Sequence, residues 1–192
     1  MEIKNGVPAI RAATWKEWRN WLRKNHRREN AVWLIIFRKA GGIPSVNYIA
    51  AVEEALCFGW IDSKGVKRDA ESYYQYFSRR NPGSNWSRVN KERVAALMAG
   101  KRMAKAGIEA VQLAQQNGNW TALNDVDNLV VPTDLQVAFN AQPMALENWI
   151  KFPASSRRGI LEWISTARRP DTRARRIDKL VTLAAKNERV LF

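Results

Sequence analysis

One cysteine, Cys57, and one histidine, His26, stand in a chain of 192 residues. That scarcity excludes an intramolecular disulfide and any metal cluster built from thiolates alone, because a structural zinc site draws about four ligands from Cys, His and carboxylates. No metal and no cofactor is expected. Acidic residues are also short, 18 against 32 Lys and Arg, which leaves a formal net charge of +14. No apolar run approaches the ~20 residues of a membrane span, and the opening Met1-Glu2-Ile3-Lys4-Asn5-Gly6 lacks the apolar stretch of a secretory signal. A cytoplasmic chain with no membrane span is expected.

What is present suits a packed core. Hydrophobic residues make up 46% and charged residues 26% of the chain, close to globular averages, so disorder is not the default. The length fits one domain, or one domain with a helical extension. The basic excess would attract phosphate polymers or anionic surfaces through a salt-sensitive field, and it serves plain solubility equally well.

Periodicity divides the chain into elements. Thr14 and Glu17 form a capping box ahead of Trp15, Trp18 and Leu22, which predicts a helix over Trp15 to Asn25. Val32 to Phe37 is a continuous apolar run and reads as a strand buried on both faces. Asn47 to Phe58 has helical spacing. Trp60 to Lys64 and Ser72 to Arg79 read as strands, with Tyr73, Gln75 and Phe77 on one face of the second. Ser87 is a candidate N-cap for a helix Arg88 to Met103, which Gly107 separates from another over Ile108 to Asn117. Four helices follow: Thr133 to Asn140, Pro143 to Ile150, Ser155 to Arg168 and Asp171 to Arg189. The expected fold is α+β: a small, mostly antiparallel sheet packed with helices over 1–118, a polar connector over 119–132, and an all-helical C-terminal extension over 133–192.

Four stretches carry a family likeness: Trp15-x-x-Trp18-x-x-Trp21-Leu22, Val32-Trp33-Leu34, the run from Glu53 to Ser63, and Phe77-Ser78-Arg79-Arg80 leading into Asn85-Trp86-Ser87. With Phe152-Pro153-x-Ser155-Ser156-Arg157-Arg158, they resemble the YdeI or OmpD-associated (OmdA-like) bacteriocin-protection family of bacterial proteins. The resemblance implies a part in stress response, in bacteriocin protection and tolerance of cationic antimicrobial peptides. It carries over no catalytic residue.

The densest chemistry is a candidate ligand-binding cleft of Glu53, Glu54, Cys57, Trp60, Asp62, Arg79, Arg80, Trp86 and Ser87. On a helix Cys57 follows Glu54 by three and Glu53 by four residues, so both carboxylates approach the thiol and raise its pKa. A nucleophilic Cys57 would need a cation such as Lys39, Arg79 or Arg80; otherwise it is a small core residue. Asp62 is either a general acid or base, or an ion-pair partner beside Lys64. Arg79 and Arg80, with the helix start at Ser87, could hold an anion, or could tie down Glu53, Glu54 or Asp62. Of the tryptophans, Trp15, Trp18, Trp33, Trp149 and Trp163 sit at core positions, while Trp60 and Trp86 are the two expected at the surface.

Three functions compete. The first is a stress-associated binding protein that takes a small anion or a protein partner in that cleft. The second is non-specific nucleic-acid binding through Arg168, Arg169, Arg173, Arg175, Arg176 and Lys179. The third, an enzyme using Cys57 and Asp62, is disfavoured because a Cys-His pair is improbable with His26 so far upstream.

Overall fold

The computed structural model describes residues 2–190, which divide into two compact units between Thr121 and Ala122. The first is α+β. Its elements are β1 (Glu2–Lys4), β2 (Val7–Arg11), α1 (Trp15–Asn25), β3 (Ala31–Phe37), α2 (Tyr48–Cys57), β4 (Trp60–Lys67), β5 (Ser72–Arg79), α3 (Arg88–Ala99) and α4 (Lys105–Gln116). The strands form one sheet in the order β1-β2-β3-β5-β4. Pairing is antiparallel except between β2 and β3, which α1 joins as a crossover.

β1 and β2 were not anticipated. They are short, and Pro8 lies in the second, yet Asn5-Gly6 between them takes φ of 51° and 74°, the left-handed pair a tight hairpin requires. β3 is central because both its faces are apolar. Val32, Leu34 and Ile36 meet the helices, while Trp33 and Ile35 join Ala9 and Tyr74 on the opposite face.

Local capping explains the helix starts. Thr14 Oγ1 accepts from the Glu17 amide at 3.2 Å, and the Glu17 carboxylate accepts from the Ala13 amide at 2.9 Å. Asn47 caps α2 through the Ala50 amide at 2.9 Å. α3 stops at Ala99 rather than Met103, because Gly100 caps it and Lys101 turns left-handed at φ 54°. Gly107 does not separate two helices. It lies inside α4, where that helix crosses the end of α2, and a Cβ there would stand 2.8 Å from the Leu56 carbonyl oxygen and closer still to that of Cys57.

The second unit is helical among the described residues: α5 (Asn124–Asp127), α6 (Thr133–Ala141), α7 (Pro143–Lys151), α8 (Ala154–Ser165) and α9 (Pro170–Ala185). Its core gathers Leu123, Val126, Leu135, Phe139, Trp149, Ile160, Ile164 and Leu180. Arg158 clamps Asp127 at 2.8 Å, and buried Asn148 donates to the Ala184 carbonyl at 2.9 Å. α9 ends short of Arg189 because Asn187 takes φ 58°. Its amide bonds to the Ala184 carbonyl and that of Glu188 to the Leu183 carbonyl, the paired bonds of a Schellman stop. No helix among the described residues is long and apolar enough to cross a membrane.

Candidate anion-binding site

Helical spacing sets the site. Arg19, Arg23, His26 and Arg27 follow one another at i, i+4, i+7 and i+8, so they line one side of α1 and its C-terminal cap. Trp18 and Leu22 anchor the adjacent face in the core, which holds that stripe at the edge of the unit.

Glu54 on α2 is fully buried and binds two guanidinium groups, Arg19 Nη1 at 2.6 Å and Arg102 Nη2 at 2.5 Å. Arg102 also reaches Glu53 at 3.4 Å, and Arg19 Nη2 donates to the Arg102 carbonyl at 2.7 Å. Burial by itself would lower the Arg19 pKa; the Glu54 carboxylate outweighs it and leaves the guanidinium above its ordinary value. Arg19 is thus held rigidly, its carbon centre 5.3 Å from the Phe58 ring centroid, with His26 against the same ring at 5.2 Å.

Beside this clamp opens a cavity of about 550 Å³, lined by Arg19, Arg23, His26, Arg27, Phe58, Ala104, Lys105 and Ala106. That volume falls in the range of small-molecule sites, roughly 300–1,000 Å³. No carboxylate lines it. Among the described residues Arg23 and Arg27 form no ion pair, and Lys105 reaches only Glu109 at 3.9 Å. α4 begins at this cavity without a side-chain cap, so the amides of its first turn add partial positive charge. Like charges four residues apart repel, and a bound anion would relieve that repulsion.

The residues singled out in the sequence do not share this cavity. Cys57 is buried, and burial first, then the Glu54 charge, raises its thiol pKa despite the opposing pull of Arg19 and Arg102. A thiol-specific disulfide reagent at pH 8 should leave Cys57 unmodified in the native protein and react fully in denaturant; rapid native reaction would show that the thiol is reachable. Asp62 accepts from the Tyr48 hydroxyl at 2.6 Å, and burial together with this bond pushes the phenol up to about 12. Arg79 donates to the backbone carbonyls of Glu29 and Arg27 rather than to a carboxylate.

Trp60 and Trp86, expected at the surface, are each 1% exposed, whereas Trp15, expected in the core, is 43% exposed. The Trp60 indole donates to the His26 carbonyl at 3.2 Å and packs edge-on against Trp21. Trp86 packs against Trp120 under the Arg80 guanidinium, 3.8 Å from its ring centroid. Burial lowers Arg80 to about 10, still cationic at neutral pH, and its side chain bonds the Asn85 carbonyl. The cavity beside it is about 40 Å³, too small for an organic ligand. Ser87 caps α3 through the Asn90 amide at 3.4 Å.

In the second unit Arg173 is committed to Asp134 at 2.6 and 2.9 Å. Arg168, Arg169, Arg175 and Lys179 are exposed, and Arg176 is half-buried. Among the described residues no group of three or more His, Cys, Asp or Glu side chains could hold a metal ion.

Sequence reasoning passed over Arg19, Arg23, Arg27, Arg102 and Lys105 and set His26 aside. The recurrence of cations along α1 was the available signal; Arg102 and Lys105 had none, because they reach the site through tertiary packing.

Comparisons with known proteins fall on the two units separately. Residues 10–110, or 101 of the 192, match the model of a domain of unknown function, DUF8412. Residues 128–187 match the model described as Bacteriocin-protection, YdeI or OmpD-Associated. The motif from Phe152 to Arg158 falls within the second match, and the run from Glu53 to Ser63 within the first. No curated protein and no solved structure matches the chain.

Proposed function

From the premise that the chain belongs to the DUF8412 family and carries a YdeI or OmpD-associated segment over 128–187, we propose that it is a binding protein for a small phosphorylated or otherwise multiply anionic ligand. The observation that carries this reading is the acid-free cavity ringed by Arg19, Arg23, His26, Arg27 and Lys105. Phe58 supplies an apolar floor, and the Glu54 clamp keeps Arg19 in place without free rotamer search. A ligand with two or more negative charges would engage Arg23 and Arg27 together, with forked guanidinium contacts suited to phosphate. A nucleophilic mechanism is disfavoured by the buried, poorly acidic Cys57 and by the engagement of Asp62 with Tyr48. The biological setting we assign is bacteriocin protection, which the description of the second unit's family supports, extended on our own reading to cationic-peptide tolerance as part of a stress response.

Inorganic pyrophosphate is the probe. Calorimetric titration of the full chain should show binding that weakens as ionic strength rises, because exposed charges are screened over about 8–10 Å at ordinary salt. The Arg23→Glu/Arg27→Glu variant should lose at least tenfold in affinity, and a strain carrying it should remain sensitive to a cationic peptide that the wild-type chain resists. Unchanged pyrophosphate affinity in that variant would remove the assignment.

A further inference from the structure

A second basic site lies on α8 and α9, independent of the cavity on α1. Thr172, Arg175, Arg176 and Lys179 recur at i, i+3, i+4 and i+7, so they share one face of α9. That face is distinct from the one carrying Ile177, Leu180, Val181 and Ala184 into the core. With Trp163 of α8 they line a pocket of about 390 Å³.

The Arg176 guanidinium donates to the Trp163 carbonyl and to Thr166 Oγ1 at 3.1 Å, which sets its carbon centre 4.9 Å from the Trp163 ring centroid. Lys179 Nζ lies 5.9 Å from the same ring. No acid lines the pocket. Of the nearby carboxylates, Glu162 pairs with Arg158 at 3.0 Å, Asp178 borders a groove with Asp134 and Arg173, and Asp171 is exposed in the first turn of α9, outside the pocket's lining. Arg168 and Arg169, both exposed, extend the positive charge into the turn before α9.

We propose that this pocket seats one base of a single-stranded nucleic acid against the pair formed by Trp163 and the Arg176 guanidinium over its ring, with flanking phosphates on Arg175, Lys179 and the Arg168-Arg169 turn. A half-buried indole beside the one fixed guanidinium, that of Arg176, is a combination that holds an unstacked base without reading its edge. A mononucleotide carries too little charge to use five cations, and a duplex keeps its bases stacked away from the indole. A polymer with an exposed base meets both conditions. Arg173, held by Asp134, takes no part.

The test is fluorescence anisotropy of labelled dT20 with the full chain, competed by inorganic polyphosphate and by dTMP. Wild-type binding should weaken on the order of tenfold or more between low and moderate salt. Arg175→Glu/Lys179→Glu, at exposed positions, should cost at least tenfold. Trp163→Leu should weaken dT20 about fivefold or more and leave polyphosphate competition unchanged, while Trp163→Phe keeps most of the affinity. Circular-dichroism melting of the Trp163 variants separates lost stacking from lost folding. No dT20 binding by the wild-type chain, full binding by the Arg175→Glu/Lys179→Glu variant, equal effects of Trp163→Leu on dT20 and polyphosphate, or dTMP binding as tight as dT20 would each overturn the proposal.

Discussion

Glu54→Gln is expected to destabilise the first unit by about 3 kcal/mol. The carboxylate is fully buried and neutralises two guanidinium groups at 2.6 and 2.5 Å. Breaking a buried pair by removing one partner costs about 3–5 kcal/mol, because it strands charge away from a counter-ion. The lower end applies because Arg19 and Arg102 retain 30% and 41% side-chain exposure, so water screens part of the loss. The amide of glutamine also turns a donor toward cations that accept nothing. Urea unfolding followed by tryptophan fluorescence reads the change, since most of the indoles lie before Thr121. A shift below about 1 kcal/mol would mean that solvent reaches the carboxylate after all. The same variant should weaken pyrophosphate binding, because Arg19 loses the anchor that aims it at the cavity.

Gly107→Ala is the other large effect. Helix propensity alone would favour alanine by about 1 kcal/mol. Sterics reverse the sign, since the new methyl would meet the backbone carbonyls of Leu56 and Cys57 at 2.8 Å or less. Backbone cannot rotate aside as a side chain can, so α4 must shift away from α2, and overpacking of this kind costs roughly 1–3 kcal/mol or more. The expected net loss is about 2 kcal/mol. Gly100→Ala is the control: its Cβ would come no nearer than 3.4 Å to the Ala96 carbonyl, so the change should stay within about 1 kcal/mol. Equal midpoints for the two variants in urea would refute the close crossing.

The crossing at Gly107 also shows where sequence reasoning stops. A glycine between two apolar-periodic stretches reads as a break, yet here it is a contact point inside one helix. Nothing local distinguishes the two cases, because the atoms that demand the glycine belong to residues fifty positions earlier. β1 and β2 were overlooked for a related reason. Three- and five-residue strands have no amphipathic signal, and their stability comes from pairing, β1 onto β2 and β2 onto β3. Trp60 and Trp86 misled because polar neighbours in sequence are no guide to neighbours in space; indole bonds and ring packing bury both.

By itself the sequence determined what depends on spacing and composition. The α1 span with its Thr14 cap, the doubly buried β3, the alternation of β5, the helical run after 132 and the excess of positive charge all follow from periodicity within a few residues, which short-range sterics and hydrogen bonding enforce. The tertiary structure alone decided which charges meet. Glu54 is neutralised by Arg19 and Arg102 rather than by Arg79 or Arg80, and Arg23, Arg27 and Lys105 are left around a cavity with no acid in it. Ion pairing depends on distances of a few ångströms between residues far apart in the chain, and only the packing of α1, α2 and α4 against one sheet sets those distances.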